Sequence, residues 1–494
     1  MSYPLAVVVL AAGAGTRMKS TLPKVLHPVA GWPMVRHVLA AVAALRPGRV
    51  VVVGPPGRAD VARAVAPYEC VVQDRPLGTG HALKAALPAL KGFVGDILVV
   101  FGDSPLLTAA TMRRLLAARR RVRTGGTRRI AVGVLGFRAA DPTPYGRLVY
   151  AKGGDLLRIV EGRDASPEER KINLVNSGVM VIDGALVDDL VRRLRNDNAK
   201  GEYYLTDLVA IARRAGHGAI VVEGPEAEFM GVNSKADLAA AEAATQARLR
   251  RAALDAGVTL VDPASVWLSA DTRFGRDVTV GPNTLFGPGV EVADGVVIHG
   301  FCHIEAAKIG PGALVGPFAR LRPGTRIGRD AHIGNFIELK NTVVGDGAKA
   351  NHVSYLGDGD IGARTNIGAG TIFVNYDGYG KWRTIVGADA FIGSNASMVA
   401  PVRVGRGANV TAGSVITGDV PAEGVAFGRA RQVDKPGAAP ALRAKLKARA
   451  QAAKSARSAG NGQAAARRQD ATTLVVTAEP APRQRSTRKV RQEA

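Results

Sequence analysis

Residues 386–416 read VGADAFIGSNASMVAPVRVGRGANVTAGSVI. Within them an apolar side chain returns at every sixth position: Val386, Ile392, Met398, Val404, Val410 and Ile416. A helix repeats its buried face about every 3.6 residues and a strand every second residue, so neither explains the spacing as one continuous element. Three short strands per coil of a parallel β-helix do explain it. One apolar side chain from each face enters the prism, and a small residue turns each corner.

Upstream, Phe274, Val280, Phe286, Val292, Ile298 and Ile304 keep the same step. So do Val315, Leu321, Ile327, Ile333 and Leu339, and then Ile361, Ile367 and Phe373. Glycine often follows the apolar residue, as in Val280-Gly281, Ile327-Gly328, Ile392-Gly393 and Val404-Gly405. The repeat predicts an all-β domain over residues 258–435. Between Phe373 and Val386 the period breaks at Asn375-Tyr376-Asp377-Gly378 and Lys381-Trp382. A loop ejected from a solenoid is typically functional.

Residues 1–233 have a different texture. Apolar, β-branched runs at Leu5–Val9, Val50–Val53, Ile97–Phe101, Ile130–Val134, Gly178–Ile182 and Ala219–Val222 alternate with helical stretches such as Thr108–Arg121 and Ala185–Leu194. This alternation predicts a Rossmann-like α/β domain: a mostly parallel sheet covered on both faces, with ligand at the carboxyl ends of its strands. The first run opens into Leu10-Ala11-Ala12-Gly13-Ala14-Gly15-Thr16-Arg17-Met18, and Leu22-Pro23-Lys24 follows. Glycines let the backbone turn sharply beside a ligand, and successive N–H groups form an anion-binding concavity. With Arg17 and Lys24 adding positive charge, the segment points to a nucleoside triphosphate. Its spacing matches neither GxGxxG nor GxxxxGK[ST]. Phe101-Gly102-Asp103 closes a second strand, where a carboxylate either holds Mg²⁺ or caps the next helix. Lys235–Ala256 is Ala-rich without Gly or Pro, and reads as a rigid helical linker over residues 234–257.

At 494 residues the chain is long for one core. No run approaches ~18 consecutive apolar residues, so no membrane span is expected. Met1–Pro4 leads straight into a strand, without the pattern of a signal peptide. Cys70 and Cys302 are too few for a disulfide framework or a zinc cluster, which fits a reduced, cytoplasmic setting. The net charge of +24 suggests a nucleic-acid partner, but residues 436–494 alone carry 13 Lys/Arg against three Asp/Glu. No nucleic-acid module is recognisable, and none is expected to bind. The tail is expected to be mostly disordered, with a helix over Ala441–Ala453 when docked.

LAAGAGTRM and LPKVLH resemble the signature of sugar-nucleotide pyrophosphorylases, nucleotidyltransferases that join a sugar 1-phosphate to UTP. The resemblance implies that Leu10, Ala11, Ala12 and Gly13 lie against the nucleotide, and that Arg17 and Lys24 are catalytic cations on the triphosphate. Asp103 and the Asn233 of Gly231-Val232-Asn233 would hold Mg²⁺. Gln73, Gly78 and Thr79 would read the uracil. Gly146, Glu161 and Asn176 would hold N-acetylglucosamine, bordered by Asn198–Asp207. Phe101, Pro144 and Met230 depart from the residues usual at their positions.

The repeat region resembles the left-handed hexapeptide-repeat β-helix of acyltransferases, which implies left-handed coils and a homotrimer with active sites between subunits. Arg320–Gly324, Glu338–Lys340, His352–Tyr355, Asn366 and Asn375-Tyr376 further resemble a bacterial family of bifunctional enzymes that carry both halves in this order. From Val7 to Arg429 this resemblance implies two steps. Glucosamine 1-phosphate is acetylated from acetyl-CoA, then uridylylated by UTP to UDP-N-acetylglucosamine, a cell-wall precursor. His352 would accept the amine proton. Arg322, Lys340, Tyr355 and Asn366 would bind glucosamine 1-phosphate; Ala369, Asn375, Tyr376, Ser394, Ala412 and Arg429 would contact acetyl-CoA. Arg431 stands where Pro is usual. A pyrophosphorylase with a non-catalytic β-helix would lack His352, Arg322, Lys340 and Asn375. A non-catalytic scaffold would lack Arg17, Lys24, Asp103 and Asn233.

Overall fold

Nine strands build the first sheet: Leu5–Leu10 (β1), Arg49–Gly54 (β2), Glu69–Val72 (β3), Asp96–Phe101 (β4), Ile130–Arg138 (β5), Arg147–Tyr150 (β6), Leu156–Val160 (β7), Leu174–Asp183 (β8) and Gly218–Glu223 (β9). The computed structural model describes residues 4–125 and 129–473, with side chains described to Arg121 and from Arg129 to Arg457. Met1–Tyr3 and the chain after Thr473 lie outside the described residues, and with them part of what was expected for the chain start and the tail.

Every residue of β1 is buried. Ala6, Val8 and Leu10 enter one core and Leu5, Val7 and Val9 another, because alternate strand side chains point to opposite faces. The strand order is β9-β5-β8-β4-β1-β2-β3, with the β6/β7 ladder attached to β8. β1 runs parallel to β2 and β4, and β9 parallel to β5. β8 is antiparallel to both β4 and β5, so the sheet is mixed rather than mostly parallel. A parallel return needs a crossover, usually a helix. Between β5 and β8 the chain instead forms antiparallel β6 and β7. The chain fills β1, β2 and β3 on one side, then returns to β4 on the other. The crevice at the carboxyl ends of β1 and β4 is thus a topological switch point, where ligands bind in open α/β sheets.

The helix Lys235–Asp255 starts at a capping box. Ser234 Oγ accepts from Asp237 N at 3.2 Å, and Asp237 Oδ2 accepts from Ser234 N at 2.9 Å. Gln246 joins this helix to the first coil through Leu268 N and O, at 2.9 and 2.7 Å. From Thr259 to Ala426 short parallel strands stack in three columns, two of them linked by the nine-residue strands His332–Lys340 and Lys349–Gly357. Val280, Val315, Leu339, Phe373, Ile392 and Val410 fill one continuous core, as the six-residue period requires.

The described residues from Arg429 onward form a second compact unit. Its helix, Ala439–Thr473, is longer than the Ala441–Ala453 expected, and continues past Gly460 where disorder was expected. Ala, Arg, Lys and Gln have high helix propensity, which carries the helix across its isolated glycines. Among the described residues no helix is long and apolar enough to cross a membrane.

Candidate active sites

A cavity of about 450 Å³ opens at the β1/β4 switch point. Leu10, Ala11, Ala12 and Gly13 form one wall and Gln73, Gly78 and Thr79 another; Lys24, Asp103 and Asn233 close one end. Gly102 N donates to Leu10 O and Ala11 N to Val53 O, at 2.9 and 2.8 Å, which anchors the loop between β2 and β4. Gly15, at φ 63°, lies against Lys24; a Cβ there would meet Lys24 Cβ at 2.7 Å. The glycine therefore lets the loop close onto the lysine.

Lys24 Nζ pairs with Asp103 Oδ2 and donates to Asn233 Oδ1 at 3.1 Å. Val232 N donates to Asp103 O at 2.9 Å, and Asp237 accepts from Asn233 N at 2.9 Å, so the capping box of the long helix also orients Asn233. Two protein oxygens thus converge on one cation position. That donor set suits Mg²⁺, which takes only one or two protein oxygens beside phosphates and water. Arg17 is exposed and lies outside the lining of this cavity. It sits in the short helix Thr16–Met18, where Met18 is the residue that turns inward.

Gln73 is buried and donates from Nε2 to Gly78 O at 3.1 Å, with His81 Nδ1 at 3.2 Å. Its amide nitrogen is thereby committed, leaving Oε1 to accept from a base N–H. A second cavity of about 230 Å³ shares Thr79 and Phe101 with the first, and is lined by Gly146, Glu161 and Asn176. Burial pushes the Glu161 carboxyl up, against a hydrogen bond from Thr206 Oγ1 at 3.1 Å.

On the β-helix, Lys349, Asn366, Phe391 and Asn409 pair in register from coil to coil. Counting forward along each coil, His352, Ala369, Ser394 and Ala412 therefore share one corner. Asn395 N donates to Ala369 O and Gly413 N to Ser394 O, at 2.7 and 2.8 Å, which ties that corner together. His352 Nδ1 lies 3.1 Å from Asn335 Oδ1, its register partner one coil earlier. A carbonyl oxygen can only accept, so this contact favours the tautomer protonated at Nδ1, which leaves Nε2 to accept a proton.

Around the next corner Arg322 Nη1 donates to Glu338 Oε1 at 2.8 Å and Lys340 Nζ to Asp358 Oδ2 at 3.3 Å. Buried Asn375 also donates to Asp358, as does Asn341 at 2.8 Å. Burial raises the Asp358 carboxyl, but these hydrogen bonds outweigh it and hold the group below its ordinary range. The nearby Lys340 ammonium lowers Lys381. In the ejected loop Asp377 accepts from Gly380 N, Trp382 Nε1 and Tyr379 N, which holds its carboxyl at about 2.

Tyr355 pairs in register with Glu338. Asn366 belongs to the Lys349 column instead, and no hydrogen bond joins it to this cluster among the described residues. Tyr376 bonds within its own loop, to Gly378 O. Arg429 begins the second compact unit, and its place is described only within that unit. Asn335 and Asp358 were missed as site residues. Asn335 lies 17 residues before His352, one short of three six-residue steps, so only the strand register reveals it; nothing local distinguishes Asp358.

A switch-point nucleotide cavity joined to a β-helix with a histidine-headed corner defines a class: two-site transferases with a hexapeptide-repeat domain. Residues 7–156 match the MobA-like NTP transferase domain, and residues 383–418 match the hexapeptide repeat of succinyl-transferase. The chain is 55% identical to the bifunctional protein GlmU of Paramagnetospirillum magneticum, over 91% of its own length and 98% of the relative's. It is 53% identical to the GlmU of a Bradyrhizobium species (89% and 98%) and 54% identical to that of Rhodospirillum rubrum (90% and 98%). The chain belongs to the GlmU family of bifunctional enzymes, and its two halves are a nucleotidyltransferase and a hexapeptide-repeat acyltransferase.

Proposed function

We propose that the chain acetylates glucosamine 1-phosphate from acetyl-CoA and then transfers UMP from UTP to N-acetylglucosamine 1-phosphate, releasing pyrophosphate and UDP-N-acetylglucosamine. Residues 1–233 carry the second step and residues 258–435 the first. The observation that carries this reading is the corner shared by His352, Ala369, Ser394 and Ala412. A β-helix used only for assembly has no need of a basic imidazole heading a track of small residues.

In the acetyl step Arg322 and Lys340 clamp the sugar phosphate. His352 Nε2 takes the proton that the amine must lose as it attacks the thioester carbonyl. Ala369, Ser394 and Ala412 leave room for an extended pantetheine along the corner. Asn375, held by Asp358, offers an amide to the reacting groups.

In the uridylyl step the sugar 1-phosphate oxygen attacks the α-phosphorus of UTP. A phosphate dianion is already a nucleophile, so the chain's task is positioning and charge neutralisation. Lys24 supplies positive charge, and the Leu10–Gly13 loop presents backbone N–H groups. Gln73 Oε1 accepts from the uracil N–H. Mg²⁺, held by Asp103 and Asn233 when bound, would neutralise phosphate charge.

A homotrimer fits the exposed ladder Phe301–Phe318–Phe336, whose rings stack at 5.0 Å between centroids on successive coils. Such a column calls for an apolar partner surface, and we assign it to neighbouring subunits of left-handed coils. The two free cysteines fit a cytoplasmic setting. The test is acetyl-CoA consumption. CoA release that depends on glucosamine 1-phosphate, followed by UTP-dependent pyrophosphate release, is expected. Pyrophosphate release from N-acetylglucosamine 1-phosphate without any acetyl-CoA consumption would reduce the chain to a pyrophosphorylase.

A further inference from the structure

Behind the sugar cavity lies another, of about 490 Å³. The segment Tyr204–Asp207 is the partition: Leu205 and Thr206 line the sugar cavity, Tyr204 and Asp207 the one behind, and Glu161 lines both. The two ends of the rear cavity differ in chemistry. At one end Arg193, Arg195 and Arg214 line it beside Ile211 and Asp197, and the three arginines with Ile211 also line a separate cavity of about 400 Å³ that has no carboxylate in its lining. Arg193 is paired with Asp189 at 2.7 Å. Neither Arg195 nor Arg214 has an ion pair or hydrogen bond among the described residues.

At the other end stand Glu161, Asp164 and Asp207 with Tyr204. Tyr204 is 7% exposed, and its hydroxyl is buried with no hydrogen-bond partner among the described residues. Buried polar atoms are nearly always paired, so an orphan hydroxyl on a side chain that lines a cavity is a candidate partner for a polar ligand. Burial, then Glu161, push the Asp207 carboxyl up to about 6. Neutral hydroxyls are therefore better neighbours for this end than further anions.

We propose that the rear cavity binds a phosphorylated, hydroxyl-rich small molecule, by class a sugar phosphate, with its phosphate on Arg195 and Arg214 and its hydroxyls on Tyr204, Asp164 and Asp207. Guanidinium forks match phosphate oxygens, carboxylates accept from sugar hydroxyls, and a phenol both donates and accepts. Because Glu161 and Tyr204–Asp207 wall both cavities, occupancy behind changes affinity in front. The linkage is reciprocal, so the substrate sugar phosphate also changes affinity for the rear ligand. The site rests on the two-step reading only through that kinetic consequence.

The test uses the full-length chain and glucose 6-phosphate as probe. Titration calorimetry is expected to detect binding that persists at saturating N-acetylglucosamine 1-phosphate. Binding should weaken about tenfold or more in the double variant Arg195→Ala/Arg214→Ala, both exposed positions, and also in Tyr204→Phe. In uridylyl transfer the probe should change the KM for the sugar 1-phosphate in the parent chain and not in the double variant. The double variant without probe should keep its kcat and KM. Undetectable binding, undiminished binding by the double variant, or complete displacement by the substrate sugar phosphate overturns the site. Inorganic phosphate binding as tightly as glucose 6-phosphate overturns the hydroxyl end. Calorimetry needs no turnover, so a chain inactive in uridylyl transfer would refute the two-step reading and leave this test intact.

Discussion

His352 is exposed, and a single hydrogen bond to Asn335 orients its ring. General-base catalysis contributes ~10²–10⁴-fold, so His352→Ala should lower the acetyl-transfer kcat by that order. The KM for acetyl-CoA and the rate of uridylyl transfer should stay unchanged in steady-state assays. Near-normal acetylation by the variant would end the assignment. Asn335→Leu removes the tautomer restraint, so kcat should fall and the pH profile shift while His352 remains in place. Asp207 gives a second prediction at this scale, with the opposite concern. Its carboxyl is raised from an ordinary value near 3.8 to about 6, by burial first and then by Glu161. Between those pH values the folded chain binds more protons than the unfolded one, so this group's contribution to stability falls as pH rises through the window and stays unfavourable above it. Asp207→Asn should therefore melt higher than the parent at pH 7, with the gain shrinking toward pH 4, by differential scanning calorimetry. An equal shift at both pH values would show that Asp207 does not titrate as described.

At the scale of elements, the segment proposed to read uracil depends on a close backbone approach. Leu77–Gly80 bonds to the strand-like run at Tyr203, through Tyr203 N to Leu77 O and Gly80 N to Tyr203 O, each at 2.8 Å. Gly78 has φ 100°, and a Cβ there would lie 2.7 Å from Tyr203 O. Gly78→Ala should push the two segments apart. The expected result is a raised KM for UTP with acetyl transfer unaffected; an unchanged KM would mean that the segment does not border the nucleotide. Elements also differ in how much of them was legible in the residues. The six-residue series and the long helix were, because one buried side chain per face and an uninterrupted run of helix formers are local demands. The direction of β8 was not, because a strand buried on both faces is apolar whichever way it runs. The placing of Arg17 was not legible either: charge close in sequence to a loop does not say which way a long side chain points.

For the whole molecule the main consequence is independence of the two chemistries. Lys24, Asp103 and Asn233 gather at the sheet, whereas His352, Arg322 and Lys340 stand on coils beyond the helix Lys235–Asp255. Asp103→Ala removes one of the two oxygens converging on the cation position, so uridylyl transfer should be abolished and acetyl transfer kept, each assayed separately. Loss of both in a chain of native circular dichroism would contradict separate sites. The sequence alone determined the two architectures, their order along the chain and most residues that line the switch-point cavity. Periodic burial and strand-end loops are written in neighbouring residues. Only the tertiary structure decided that Lys24 and Asn233, 209 residues apart, meet over Asp103, that Asn335 sits against the His352 ring, and that a cavity lies behind Glu161. Those relations depend on which strands and coils become neighbours, and chain closure over such distances is settled by packing of the whole rather than by any local pattern.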